Sequence, residues 1–562
     1  MGLTSDTIER VGVLGAGNMG HGIAQVAAMA GYDVTLRDVE TDIVADGYES
    51  IEWSLRKLAD KDRLDDPPEA VLDRIETTTD LETAVADADL VIEAVPERMA
   101  LKQEIFASLD DLTHDNAILA SNTSSLSITE MAAATERPDR VVGTHFFNPP
   151  VMMDLVEVIY GEETSDDTAE AAFEFVEAIG KTPIYVRKDV HGFVVNTVLS
   201  PYMDEPAWMV SEGEATIRGA DATMVHERGY PMGPFELADM TGIDVGYHVR
   251  QEADVPIPPV IEEKVEHDDL GRKTGKGFYD YGGEDAEVGE DADEDAGVAT
   301  GPDYEPADVG DFDHLRVEAT MVNAAAELVG DDVATSEAID KGMRLGAGFP
   351  EGTCRRGDEI GLDTILEKLR ALHDIHGADR YEPTPYLVDL VEAGKTGREA
   401  GEGFYEYDSG DGPDDYHTID WELSDDGLLA VEFDRPGRLN AINEALADAV
   451  VDLLESVDEE AVRAVTFEGT GDRAFSAGAD ITGFAGRAPA KTDEPTAVFG
   501  TVAEFPRPTL AKIDGYCLGG GHELALACDL RIATEDSEFG FPEINLGLIP
   551  GGGGTQRAMR ML

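Results

Sequence analysis

The chain has 562 residues, 42 basic against 118 acidic and 42% hydrophobic, so it is long enough for several packed domains and carries a formal net charge of -76. Such a balance excludes nucleic acid and anionic membrane surfaces as partners, because both need a basic face. The acids are scattered from Asp6 to Glu543 rather than gathered in a tail, and the self-repulsion this creates is relieved by salt, which suits a salt-rich cytoplasm. Cys354, Cys517 and Cys528 show neither metal-ligand spacing nor a disulfide framework, so no metal site and a reduced, cytoplasmic setting are expected. The N-terminus has no signal pattern, and no apolar run is long enough to span a bilayer.

Residues 1–190 alternate short apolar strands, such as Val11 to Leu14, Asp33 to Arg37 and Leu90 to Val95, with helical stretches. That is the pattern of an α/β, doubly wound parallel sheet. Straight after the first strand comes Gly15-Ala16-Gly17-Asn18-Met19-Gly20, opening a helix with Ile23, Val26, Ala27 and Ala30 on one face. Gly15 permits a tight turn, Gly17 lets backbone approach a pyrophosphate, and Gly20 lets the helix pack close, so the stretch reads as a dinucleotide site. Asp38 ends the next strand, eighteen residues past Gly20, where a carboxylate accepts both ribose hydroxyls and repels a 2′-phosphate. NAD is therefore the expected cofactor.

From 191 to 282 the strand signal fades, and spacing in stretches such as Val194 to Val210 is helical. Residues 283–310, with EDAEVGEDADEDAG at their heart, read as an acidic linker. An internal repeat follows over 311–408: GYPMGPFELADMTGID from Gly229 is echoed by GFPEGTCRRGDEIGLD from Gly348, and Gly277-Phe278-Tyr279 by Gly403-Phe404-Tyr405. Two related helical domains are expected. A second linker over 409–420 leads to another α/β domain over 421–562, with strands at Leu428 to Phe433, Ala464 to Glu468 and Thr509 to Ile513.

Three further segments, SNTSSL at 121–126, HFFNPP at 145–150 and GFVVN at 192–196, together with the glycine fingerprint, resemble the 3-hydroxyacyl-CoA dehydrogenase family. Oxidising a secondary alcohol needs a base for the hydroxyl proton while hydride leaves for the nicotinamide, and His145 fits that base. Glu157, in LVEVI, occupies the family position that fixes the histidine tautomer, although a strand carboxylate facing solvent is the bland alternative. The resemblance further implies that Ser124 and Asn196 bind the substrate's 3-oxygen or thioester region, and that Asn148, Glu97 and Lys102 contact the cofactor. Glu97 and Lys102 also read as an ordinary helical pair. Thr197 stands where the family often carries arginine.

In the last domain, AFSAGADI at 474–481 and GYCLGGGHELALACD at 515–529 resemble the crotonase superfamily, which includes enoyl-CoA hydratases. Ala479 and Gly520 match the backbone donors that stabilise a thioester enolate, while Glu523 and Glu543 match the two carboxyl groups that activate water and deliver a proton. The sequence ends at GGGGTQRAMRML, so this crotonase-type domain is expected to be C-terminally incomplete and hydratase competence to suffer. The resemblance implies a bifunctional enzyme on acyl-CoA thioesters, a homo-oligomer, with a dehydrogenase-first order like that of archaeal fusions. A last domain that only binds acyl-CoA, and an NAD-binding structural protein, are the competing readings.

Overall fold

A computed structural model describes residues 8–60, 64, 66–252, 255–281, 302, 304–310, 312–407, 418–424, 427–457, 461–471, 473–479, 497–535, 537–543 and 550–561. Most of the acidic linker expected over 283–310, most of that over 409–420, and Asp480 of the FSAGAD motif lie outside these residues. The chain divides into two compact units, one holding most of residues 1–405 and the other residues 406–562 with two short earlier segments, Val225–Tyr230 and Glu305–Ala307.

The first unit is built on an eight-stranded sheet of β1 (Arg10–Leu14), β2 (Asp33–Arg37), β3 (Ile75–Thr78), β4 (Leu90–Glu93), β5 (Ile118–Ser121), β6 (Val141–Phe146), β7 (Leu155–Tyr160) and β8 (Thr182–Val186), in the order 3-2-1-4-5-6-7-8. β1 pairs in parallel with both β2 and β4, so the strand order reverses beside it and opens a crevice at the carboxyl ends. Helices cover both faces. The inner strands are therefore nearly continuous apolar runs, as in the fully buried LVIE of β4 and ILAS of β5. Only β6 and β7 meet antiparallel, in a register that sets His145 opposite Glu157.

The two helical repeats follow. Val195–Glu212, Ile217–His226, Pro234–Thr241, Ile243–Glu252 and Pro259–Glu266 correspond in order to His314–Gly330, Ser336–Gly346, Thr353–Ile360, Leu362–His376 and Pro385–Glu392. The repeated motif has a physical cause. Asp221 accepts from Phe235 N, Glu236 N and Tyr279 Oη at 2.9, 3.0 and 2.8 Å. Asp340 does the same with Cys354 N, Arg355 N and Tyr405 Oη at 2.7, 3.1 and 2.7 Å, so each buried carboxylate caps a helix and anchors the GFY tyrosine. A second aspartate in each copy, Asp239 or Asp358, binds the backbone N–H groups of that same GFY turn. The approach requires glycine: a Cβ on Gly277 or Gly403 would stand 1.9 or 2.0 Å from the aspartate oxygen. Between the repeats, buried Arg316 reaches Glu205, Glu214 and Tyr381 at 2.7, 2.9 and 2.6 Å.

The second unit contains a five-stranded sheet of β9 (Ile419–Leu423), β10 (Leu428–Phe433), β11 (Ala464–Gly469), β13 (Thr509–Ile513) and β15 (Leu530–Ala533), in the order 15-13-11-10-9. β12 (Ala474–Ser476), β14 (Tyr516–Leu518) and β16 (Glu538–Gly540) form a separate parallel sheet in the order 12-14-16. β9 begins inside the span expected to be linker. It runs antiparallel to β10, and buried Ile419 lies opposite Phe433, a pairing with a distant apolar partner that the acidic local composition conceals. Phe433, Phe467, Phe475 and the helix Glu444–Ser456 enclose this unit's core.

Candidate active sites

The glycine loop sits at the crevice beside β1. Gly15 has φ +100° and an added Cβ would stand 2.4 Å from Ala94 O, while one on Gly20 would stand 1.8 Å from Gly15 O. Only glycine fits either place. A Cβ on Gly17 would meet nothing within 4 Å, so this backbone faces open space at the start of the helix Asn18–Met29. A phosphate fits there, against the free N–H groups and positive end of the helix. Asp38 holds the loop as well: its oxygens accept from Ala16 N at 2.9 Å and Val39 N at 2.6 Å. Each oxygen keeps a lone pair for a ribose hydroxyl. The residues present thus fit a dinucleotide.

At the neighbouring strand ends, His145 Nδ1 and Glu157 Oε2 are 2.6 Å apart. Glu157 is 0% exposed, which rules out the solvent-facing alternative, and its other oxygen accepts from Val194 N and Val195 N at 2.9 and 3.0 Å. Those two N–H groups lie at the start of the helix Val195–Glu212, whose positive end favours a carboxylate. Nδ1 therefore carries the ring proton and Nε2 is left as the basic atom. Phe147 and Phe193 pack on the imidazole with ring centroids 4.5 and 5.9 Å away. Asn196 Nδ2 donates to Ser124 O at 3.4 Å, placing these two residues side by side, and Asn18 Nδ2 donates to Asn148 Oδ1 at 3.3 Å, tying the glycine-loop helix to the segment after β6.

Lys102 and Glu97 form an ion pair of 3.1 Å, but Lys102 is only 1% exposed and is shared with a residue that sequence reading missed. Glu93, at the end of β4, binds the same ammonium at 2.8 and 3.0 Å. Its signal was a lone charge closing the apolar run LVIE. Burial pushes the Glu97 carboxyl up, yet Lys102, the Thr123 hydroxyl and Ser124 N–H outweigh it and hold the group below the ordinary carboxylate range. Asn122 was also missed; it accepts from Phe146 N at 2.8 Å and so braces the strand that carries His145.

In the second unit, the turn carrying Ala479 lies against the start of the helix Gly519–Ala527. A Cβ on Gly520 would stand 3.3 Å from Ala479 N, and Ile442 N pins the turn through Gly478 O at 2.7 Å. Two backbone donors beside a helix N-terminus suit a developing oxyanion. Glu523 is buried one helical turn after Gly519, its Oε1 accepting from Gly554 N at 2.7 Å. Glu543 approaches the same face: its Oε1 is 3.3 Å from where a Gly519 Cβ would be, and its Oε2 is buried with no protein partner among the described residues. A buried carboxylate oxygen left open is a place for an external donor. His522, also missed, stacks on Phe541 at 4.6 Å and packs the segment leading to Glu543. Burial pushes its imidazole below the usual range.

Among the described residues no His, Cys, Asp and Glu cluster could hold a metal, and no helix is long and apolar enough to cross a membrane. Comparison with known proteins agrees with this division of sites. The 3-hydroxyacyl-CoA dehydrogenase NAD-binding domain matches residues 10–190, the C-terminal domain of the same family matches 192–281 and again 312–407, and the enoyl-CoA hydratase/isomerase domain matches 424–562. A probable 3-hydroxybutyryl-CoA dehydrogenase of Deinococcus radiodurans is 43% identical over 279 residues, 48% of this chain and all of that one. The fatty acid oxidation complex subunit alpha of Idiomarina loihiensis is 35% identical over 402 residues, 69% of this chain and 55% of that protein. The crystal structure of 3-hydroxybutyryl-CoA dehydrogenase from Escherichia coli superposes with a TM-score of 0.62 at 30% identity, covering 69% of this chain and 99% of that one. The chain belongs to the NAD-dependent 3-hydroxyacyl-CoA dehydrogenase family, with both C-terminal repeats present and an enoyl-CoA hydratase/isomerase domain joined after them.

Proposed function

We propose that the first unit oxidises (S)-3-hydroxyacyl-CoA to 3-ketoacyl-CoA and that the second hydrates 2-enoyl-CoA to supply that alcohol. The observation that carries the first half is the buried pair of His145 and Glu157. His145 Nε2 takes the proton from the 3-hydroxyl, and the imidazolium so formed is stabilised by Glu157, itself held by Val194 N and Val195 N. Ser124 and Asn196 hold the 3-oxygen beside Nε2, and Asn148 orients the nicotinamide end. NAD, when bound, accepts the hydride from C3. In the second unit, Ala479 N–H and Gly520 N–H stabilise the thioester enolate, while Glu523 and Glu543 divide the activation of water and delivery of the proton.

The -76 charge supports a salt-rich cytoplasm as the working environment, so the assay belongs in molar KCl. NADH absorbance is followed with 3-hydroxybutyryl-CoA, and conjugated-thioester absorbance with crotonyl-CoA. His145→Gln is expected to lose about two to four orders of magnitude in oxidation. Glu523→Gln and Glu543→Gln should suppress hydration alone. Near-normal oxidation by His145→Gln overturns the first assignment, and hydration left unchanged by Glu523→Gln and Glu543→Gln overturns the second.

A further inference from the structure

Glu93 is a buried ionisable group at the switch point of the sheet that the proposed chemistry leaves unused. It is 0% exposed, and such a carboxylate persists only when its oxygens are satisfied. Here they are: Oε1 accepts from Lys102 Nζ at 2.8 Å and Val95 N at 2.7 Å, and Oε2 from Lys102 Nζ at 3.0 Å and Ser121 Oγ at 2.7 Å. Neutralising Glu93 would need nothing beyond the ammonium. Yet the ammonium also reaches Glu97 Oε2 at 3.1 Å, and Glu97 Oε1 accepts from the Thr123 hydroxyl and from Ser124 N at 3.0 Å. Thr123 Oγ1 in turn accepts from Leu126 N at 2.9 Å, which closes the loop.

The backbone of Glu93 serves the same loop from its other end. Glu93 O accepts from Asn122 N at 2.7 Å, and Asn122 Oδ1 accepts from Phe146 N, the residue after His145, at 2.8 Å. One residue thus grips the loop 122–126 twice, once through Lys102 and Glu97 and once through Asn122. We propose that Glu93 is a positioning residue for dehydrogenation: acting through Lys102 and Glu97, it fixes the Ser124 loop relative to His145. Lys102 accordingly serves this chain by orienting Glu97. The inference rests on the dehydrogenase reading, so wild-type turnover of 3-hydroxybutyryl-CoA with NAD is established first; its failure would sink that reading, whereas the variants below test Glu93 alone.

Glu93→Gln keeps the side-chain size. Its oxygen can stay with Lys102 and Val95 N while its NH2 turns to Ser121 Oγ, so folding survives and half of the grip on the ammonium is lost. A shift of about 1 Å in a substrate-holding group can cost about a hundredfold, so kcat/KM for the acyl substrate should fall about 10- to 100-fold. The pH profile should keep its shape because His145 is intact. Glu93→Gln/Glu97→Gln should be no worse than Glu97→Gln, since the first residue works through the second. Unchanged kcat/KM in Glu93→Gln, or losses that simply add in the double variant, would overturn the proposal. If Glu93→Gln fails to fold, Ser121→Ala replaces it, removing one anchor of Glu93: a loss of acyl-CoA turnover in a folded enzyme that keeps the wild-type pH profile supports the role, and wild-type kinetics overturn it.

Discussion

Glutamine at position 157 keeps the size of the glutamate and removes one acceptor, and the three donors around that carboxylate decide the consequence. Val194 and Val195 give their N–H groups to Oε1 at 2.9 and 3.0 Å, whereas Oε2 meets His145 Nδ1 alone at 2.6 Å. An amide offers one oxygen and one NH2 group, so the oxygen goes to the side with two donors and the NH2 faces Nδ1. Nδ1 must then accept, the ring proton moves to Nε2, and no basic nitrogen is left for the substrate hydroxyl. A catalytic histidine held in the wrong tautomer in a serine-protease triad loses about 10⁴ in kcat, and Glu157→Gln is expected to lose about 10³ to 10⁴ here. The stability cost is smaller, about 1.5–3 kcal/mol for one charge-assisted hydrogen bond. Saturating NAD, 3-hydroxybutyryl-CoA and NADH absorbance give kcat, while a thermal melt in the same KCl shows that the variant is folded. A folded Glu157→Gln enzyme with kcat within tenfold of wild type would refute the argument that Glu157 sets the tautomer.

Asp38 should favour NAD over NADP by about a hundredfold in kcat/KM, the equivalent of roughly 3 kcal/mol of like-charge repulsion; equal values for the two cofactors would dismiss its assignment. Arg316→Met strands the buried Glu205 carboxylate with weaker partners, and a loss of about 3–5 kcal/mol is expected in denaturant melts. A loss under about 1 kcal/mol would mean that Arg380 and Tyr381 suffice, at 3.2 Å for the arginine. Burial pushes Asp221 up to about 7, so between its ordinary range near pH 4 and pH 7 the native state binds the extra proton and stability falls as pH rises. Asp221→Asn should flatten the pH slope of unfolding over that window, and an unchanged slope would remove Asp221 as its source.

Local order along the chain determined the dinucleotide site, because strand, GAGNMG turn, helix and Asp38 lie within 29 consecutive residues, from 10 to 38, and Gly20 answers a near neighbour, Gly15 O, although the backbone that excludes a Cβ at Gly15 is that of distant Ala94. The duplicated helical domain was legible in the same way. Its two motifs recur in the same order in both copies, and the pairing of Asp221 with Tyr279 and of Asp340 with Tyr405 explains why both motifs are kept although the stretch between them differs, 58 residues against 65. β9 escaped because its five residues follow an acidic run, and its strand identity comes from β10.

The arrangement of the candidate sites belonged to tertiary structure. Whether Glu157 faced solvent or His145 depended on the antiparallel register of β6 and β7, since a slip of one residue would turn every side chain to the other face. Glu93 read as a charge ending an apolar strand, and nothing local announced that Lys102, Ser121 and Val95 N would surround it. Ala479 and Gly520 likewise stand about forty residues apart in the chain and meet only where the Gly478 turn packs on the helix Gly519–Ala527. Composition and spacing record what a residue can do with its neighbours in sequence. The order of strands in a sheet decides which distant groups share a low-dielectric crevice, and therefore which of them become a base, its partner and its support.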